Sequence, residues 1–317
     1  MSVLITAPYN EKGQQEIETL FGPVVYRPWK PKGRAYNEEE LMALLKETNA
    51  TALITEHDHV TANVINAFPN LTFIGVCRGT PSNLAMDAAR EHGIAVFHTP
   101  ARNAQAVAEL FIANVITMLR NLPAAENWLT DGNWEAGAHT SYLQFKGHEL
   151  AGKTVGMVGF GAIGQRIARI LKTFPCTICY YDPYYTDPDT DYQKMTLPEL
   201  FAGSDIVSIH LPDNKETAGM ISAGLFGKMK PDSIFVNTAR AAVVNRDDLL
   251  SALEQNKIGG AILDVFNHEP PDETDYKIIH HPHVLATPHI AGASFEVEDH
   301  HVEILNRQLK TWKGKGK

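Results

Sequence analysis

Three short segments hold the residue types that could do chemistry. NTAR (237–240) ends in Arg240, LDVFNHEP (263–270) contains Asp264 and Glu269, and TPHIAG (287–292) contains His289 and Gly292. Each follows a short apolar run of strand character. Ligands of open α/β sheets gather at the carboxyl ends of the strands, so Arg240, Glu269 and His289 are expected to converge. An imidazole can give a proton to a carbonyl oxygen as a hydride arrives at its carbon, and take it back in reverse. A carboxylate beside an imidazole favours the charged form and fixes the tautomer. A guanidinium matches a substrate carboxylate with its planar fork.

A fourth segment supplies the hydride partner. VGFGAIG (158–164) follows an apolar run and opens a helix pattern. A second apolar run, 177–181, ends in Asp182, 18 residues past Gly164. That is the arrangement of a dinucleotide loop. Gly159 permits the tight turn, Gly161 lets the backbone approach a pyrophosphate, and Gly164 allows close helix–strand packing. The helix N-terminus offers unpaired N–H groups to phosphate. Asp182 can accept from the adenosine ribose hydroxyls and would repel a 2′-phosphate, so NAD is expected over NADP.

These segments need a scaffold. Strand-like runs at 3–7, 52–55, 71–77, 94–98, 153–159, 177–181, 205–211, 233–237, 260–264 and 284–287 alternate with helix patterns. The helix patterns lie at 38–48, 83–92, 103–121, 162–173, 197–202, 246–255 and 296–312. Strands alternating with helices predict βαβ units and parallel sheets. Pro123 reads as the stop of the long helix, and 123–150 as irregular. The sequence predicts a nucleotide domain over 102–289, inserted into a partner domain split between 1–101 and 290–317.

Composition excludes other classes. The chain has 317 residues, 44% of them apolar, and a formal charge of −9. It can bury a core, and its acidity disfavours nucleic acid or anionic membrane as partner. Lys310, Lys313, Lys315 and Lys317 read as a frayed basic end. No apolar run reaches the length of a membrane span. The first residues read as a strand and not a leader, and three cysteines fit a reducing cytoplasm. Cys176 and Cys179 lie three apart on a strand, so they are expected to face opposite sides and not to form a metal site. The clusters His57/His59, His280/His281/His283 and His300/His301 lack metalloprotease spacing and read as loop and surface residues. Cys77 leaves room for a reactive thiol. His210, in HLP (210–212), either touches the nicotinamide side or satisfies a backbone group. Asp264 either contacts cofactor or caps a strand end.

As a set, VGFGAIG, YDP (181–183), NTAR, LDVFxxEP and TPHIAG resemble the D-isomer-specific 2-hydroxyacid dehydrogenases, over about 71–297. The resemblance implies a Rossmann-type doubly wound domain inserted into a flavodoxin-like α/β domain. It implies His289 as general acid/base, Glu269 as its partner and Arg240 as substrate anchor. It places the backbone of loop 77–80, with Arg78, Gly79 and Thr80, at the substrate carboxylate. NAD is expected at Gly159, Gly161, Ala162, Ile163, Gly164, Asp182, His210, Pro212, Thr238, Ala239, Asp264 and Gly292. A homodimer is expected through helix 103–121 and its surroundings.

The chain departs from the family pattern at Ala241 and Ala101, where glycine is usual. TEHD (55–58) holds two acids where phosphoglycerate dehydrogenases carry phosphate-binding arginines, so an unphosphorylated 2-oxo acid is expected. From the length, no regulatory domain is expected. Glu269, where formate dehydrogenases of the family carry glutamine, argues against formate. The alternatives are D-3-phosphoglycerate dehydrogenase proper and an NADH-sensing corepressor of the C-terminal-binding-protein type. A third, an adenosylhomocysteinase-like enzyme, would not need Arg240, Glu269 and His289 in this order.

Overall fold

The computed structural model describes residues 1–134, 138–186 and 191–315. The chain divides into two compact units, Met1–Asn103 with Ser294–Lys317, and Ala104–Ala293. The expected breaks lay at 101/102 and 289/290. Residues 290 and 291 belong with the second unit because Asp264 binds their amides at 2.9 and 2.7 Å.

The first unit opens with β1 (Val3–Ile5), α1 (Glu11–Phe21), β2 (Val24–Tyr26), α2 (Glu38–Thr48) and β3 (Ala52–Thr55). It continues with α3 (Ala62–Ala67), β4 (Phe73–Val76), α4 (Met86–Glu91) and β5 (Ala95–His98). All described pairings are parallel, in the order β2-β1-β3-β4-β5. This is the flavodoxin-like order. Fully buried apolar strands explain the continuous hydrophobic runs. On one face Leu4, Leu53 and Ile74 pack with Leu41, Leu45, Val64 and Ile65. Helix α1 was not expected. It buries only Gly13, Ile17 and Phe21, too sparse a stripe for periodicity to reveal, and its start is set by Asn10, whose side chain accepts from Gly13 N.

The second unit holds α5 (Ala104–Leu119), α6 (Leu122–Thr130), α7 (Ala138–Gln144), β6 (Thr154–Val158), α8 (Ala162–Leu171), β7 (Thr177–Tyr181) and β8 (Gln193–Lys194). After them come α9 (Leu197–Gly203), β9 (Ile206–Ile209), α10 (Ala223–Phe226), β10 (Ile234–Asn237), α11 (Arg246–Glu254), β11 (Gly260–Leu263), α12 (Glu273–Ile279) and β12 (Val284–Ala286). The seven described strands are parallel, in the order β12-β11-β10-β9-β6-β7-β8. The order reverses direction between β6 and β9, the doubly wound switch point where such sheets take nucleotides. Cys179 packs in the core on one face of this sheet and Cys176 against the other, as the strand period requires.

The segment 123–150 is not irregular as expected. Chain direction changes at Asn121, φ 53°, and Pro123 lies in the first turn of α6. A proline there loses no helical hydrogen bond, so the residue read as a stop belongs to a start. The final helix, α13 (Glu296–Lys315), returns to the first unit. Val302, Leu305 and Leu309 pack with Ile17, Phe21 and the second face of the five-stranded sheet. The basic end is helical through Lys315 and not frayed there, its cations lying at the favourable pole of the helix dipole; Lys317 falls outside the described residues.

Candidate active site

The glycine loop joins β6 to α8. Gly159 has φ +94°, and a Cβ there would lie 2.7 Å from the His210 carbonyl oxygen. A Cβ on Gly164 would lie 2.6 Å from the Gly159 carbonyl oxygen, so close helix–strand approach requires glycine there. Gly161 is different. Its φ is −74°, it begins α8 without a side-chain cap, and nothing lies within 4 Å of the place its Cβ would occupy. Open space thus faces uncapped helix amides, which fits a pyrophosphate. Ala162 and Ile163 form the accessible first turn of α8.

Asp182 is half-buried at the end of β7. Its Oδ2 accepts from Phe160 N at 2.7 Å, and its Oδ1 from Tyr184 N and Tyr185 N at 2.8 and 3.0 Å. The carboxylate therefore braces the glycine loop as well as ending the strand. An ionised carboxylate offers about four acceptor sites, so capacity for a ribose hydroxyl remains.

Just past the ends of β9 and β10, two buried polar side chains have no protein partner among the described residues. Thr238 Oγ1 is unpaired, and so are both ring nitrogens of His210. Sequence left His210 between cofactor contact and satisfying a backbone group. It satisfies none, and packs edge-on against Phe111 at 6.4 Å. Burial pushes its imidazole down to about 3. Orphaned buried donors and acceptors are rare, and here they fit a polar ligand. Ala239 is buried beside Thr238, and Pro212 is exposed with its carbonyl accepting from Thr217 Oγ1.

Arg240, Glu269 and His289 line one cavity of about 300 Å³ with Asp213 and Phe266. His289 Nδ1 lies 2.9 Å from both Glu269 oxygens. A carboxylate only accepts, so Nδ1 carries the hydrogen and Nε2 is the working atom. His289 sits at φ +54°, a left-handed conformation costing about 1–3 kcal/mol for a non-glycine residue. Asp264 holds it there. Fully buried, Asp264 accepts from Thr287 Oγ1 at 2.6 Å and from the amides of Ile290 and Ala291. Asp264 thus fixes the His289 turn through these three bonds. Gly292 follows that turn, half-buried. Arg240 is exposed, and its Nη1 donates to the Ala239 carbonyl at 2.6 Å.

The predicted substrate loop lies in the first unit, after β4. Arg78 Nη1 donates to His57 Nδ1 at 3.1 Å, the Gly79 carbonyl meets His98 Nδ1 at 2.8 Å, and the Thr80 carbonyl accepts from Ser82 N. Cys77 is fully buried and burial pushes its thiol up, which removes the reactive-thiol reading. Glu56 and Asp58 do not act as free repelling charges. Asp58 is fully buried and accepts from Thr6, Thr55 and Tyr36 N. Glu56 accepts from Trp29 Nε1 at 3.1 Å and from Arg102 Nη1 at 2.6 Å. His301 is not a surface residue either. It is fully buried, its Nε2 donating to the Pro8 carbonyl at 2.7 Å and its Nδ1 accepting from Arg102. Sequence missed this network because its members, Pro8, Trp29, Glu56, Arg102 and His301, lie on five separate segments.

A family sequence model described as D-isomer specific 2-hydroxyacid dehydrogenase, NAD binding domain, matches residues 112–291. The chain belongs to this family. It is an NAD-linked oxidoreductase of 2-hydroxy and 2-oxo acids. The YoaD protein of Bacillus subtilis (strain 168) is 60% identical to this family member over 314 residues, covering 99% of this chain and 91% of that one. The hydroxypyruvate reductase of Thermotoga maritima is 35% identical, covering 82% of this chain and 83% of that one. The structure of the TT0316 protein from Thermus thermophilus aligns with a TM-score of 0.82 at 28% identity, covering 100% of this chain and 98% of that one.

Proposed function

We propose that this dehydrogenase interconverts a small, unphosphorylated D-2-hydroxy acid and its 2-oxo acid, with His289, Glu269 and Arg240 carrying the chemistry. The observation behind this reading is the His289–Glu269 pair sharing one cavity with Arg240. When bound, NADH supplies the hydride. His289 Nε2 gives its proton to the carbonyl oxygen as that oxygen gains charge, and recovers it in the oxidative direction. Glu269 stabilises the imidazolium. Arg240 turns from its own chain to the substrate carboxylate or carbonyl. Arg78, Gly79 and Thr80 are assigned to the substrate carboxylate.

The unphosphorylated substrate is supported by TEHD (55–58), which offers no arginine to a phosphate, and by the relative named hydroxypyruvate reductase. Asp182 supports NAD over NADP. A panel of 2-oxo acids with NADH, read by loss of nicotinamide absorbance, identifies the substrate, and greater activity on a phosphorylated acid would overturn this reading. His289→Ala is expected to lose about 10²–10⁴-fold in turnover with unchanged NADH binding. Near-normal turnover of that variant would remove the acid/base assignment.

We further assign a homodimer and a cytoplasmic location. Leu122, Leu129, Trp134, Tyr142 and Leu143 are exposed on and around α6 and α7, an apolar surface suited to self-association. Sedimentation at micromolar concentration should give twice the 35.0 kDa chain mass; a monomer there refutes the dimer. The free thiols of Cys77, Cys176 and Cys179 accord with a reducing compartment.

A further inference from the structure

Glu269 stands near the start of the loop His268–Asp272, which runs from β11 toward α12. The neck of that loop is closed by one buried carboxylate. Asp275, 1% exposed, sits in the first turn of α12, and its Oδ2 accepts from His268 N at 3.1 Å and from Asp272 N at 3.3 Å. One oxygen thus ties the residue before Glu269 to the residue three beyond it. The other oxygen lies 3.2 Å from Arg246 Nη1, at the start of α11. Arg246 Nη1 is also 2.8 Å from both Asp272 oxygens, and Asp272 in turn accepts from Asp275 N at 2.8 Å. His268 Nδ1 lies 3.0 Å from Asp272 and 3.4 Å from Asp275.

His268, Asp272 and Asp275 have ligand atoms close enough to share a cation. Arg246 already fills that position with a guanidinium, so the cluster is an ion-pair clamp and not a metal centre. Two helices, α11 and α12, are fixed to the loop by it.

We propose that Asp275, braced by Arg246, is a positioning residue for catalysis: it closes the Glu269 loop and so holds Glu269 against His289 Nδ1. The inference rests on the acid/base reading of that pair. The groups facing His289 are Glu269, Arg240 and Asp213; those facing Asp275 are Arg246, His268 and Asp272. Without the clamp the Glu269 carboxylate is no longer held at 2.9 Å, and a misplacement of about 1 Å costs on the order of 10²-fold. A neutral or displaced partner also stabilises the imidazolium less than the carboxylate does.

The test is the pH profile of kcat/KM for 2-oxo acid reduction with NADH, measured for the full chain, Glu269→Gln, Asp275→Asn, Arg246→Gln and Glu269→Gln/Asp275→Asn. The alkaline fall of the profile is expected to move to lower pH in Glu269→Gln. Asp275→Asn should move it the same way with roughly 10- to 100-fold lower kcat, and NADH binding should stay within about twofold. The double variant should lose nothing beyond Glu269→Gln. Arg246 is only partly buried, so Arg246→Gln decides if Asp275→Asn does not fold, and it should show the same shift at smaller size. If Glu269→Gln shifts the profile and folded Asp275 and Arg246 variants keep the original one, the clamp is refuted and the acid/base reading stands. If Glu269→Gln leaves the profile unmoved, both fall.

Discussion

His210 illustrates what a single side chain can cost and gain. Its ring is buried without a hydrogen bond, and burial holds it neutral down to about pH 3. In the unfolded chain the same ring takes a proton near pH 6.5. The folded value is depressed, so its share of stability is intact above about 6.5 and shrinks as pH falls toward 3. Between pH 7.5 and pH 5 the cofactor-free protein should lose about 2 kcal/mol from this ring. Urea unfolding at the two pH values checks it: His210→Gln should narrow the gap by about that amount. Saturating NADH should protect the wild type more than the variant, because a ligand that partners the ring adds to the folded state alone.

Helices and turns explain which parts of the fold were legible. Helix α2 starts where the sequence places it, since Asn37 and Glu40 form a reciprocal N-terminal cap, with hydrogen bonds of 2.9 and 3.2 Å, that sequence spells out directly. Strands β3, β7 and β10 were legible because both faces are covered and the runs are continuously apolar. Helices α6 and α7 were not, because α6 buries no residue fully and an exposed helix leaves no apolar stripe. The convergence of Arg240, Glu269 and His289 on one cavity was legible from residue type and strand-end position, whereas the part Asp264 plays in the His289 turn was not. Its value lies in three bonds to residues 23–27 positions away, which no local pattern encodes. Ala101 shows an element under strain. It holds φ +63° where the family usually has glycine, ahead of α5. A left-handed alanine costs about 1–2 kcal/mol, partly offset by glycine's greater freedom when unfolded. Ala101→Gly should therefore raise stability by up to about 1 kcal/mol in chemical unfolding, and a loss of stability would show that the position is not strained.

At the scale of the whole molecule the two units differ in how the chain builds them. The second is one continuous stretch, Ala104–Ala293, and it contains the glycine loop, Asp182, His210 and the His289–Glu269 pair. The first needs both ends of the chain, since α13 completes one face of its sheet. A fragment spanning 104–293 should fold and change NADH fluorescence on binding. A fragment spanning 1–103 alone should be unstable, because Val302, Leu305 and Leu309 leave Ile17, Phe21 and Phe73 uncovered. Circular dichroism of the two pieces distinguishes these outcomes, and adding residues 294–317 as a peptide should restore order to the second.

The three amides gripped by Asp182 bear on any attempt to redesign the enzyme for a phosphorylated coenzyme. Replacing the acid with a residue that has no acceptor would remove the repulsion proposed here for a 2′-phosphate, but it also unties Phe160 from the end of β7 and slackens the glycine loop. Swapping coenzymes here is consequently a two-part alteration: a new cation for the extra phosphate, and a substitute acceptor, such as an asparagine carbonyl, to keep the glycine ribbon taut.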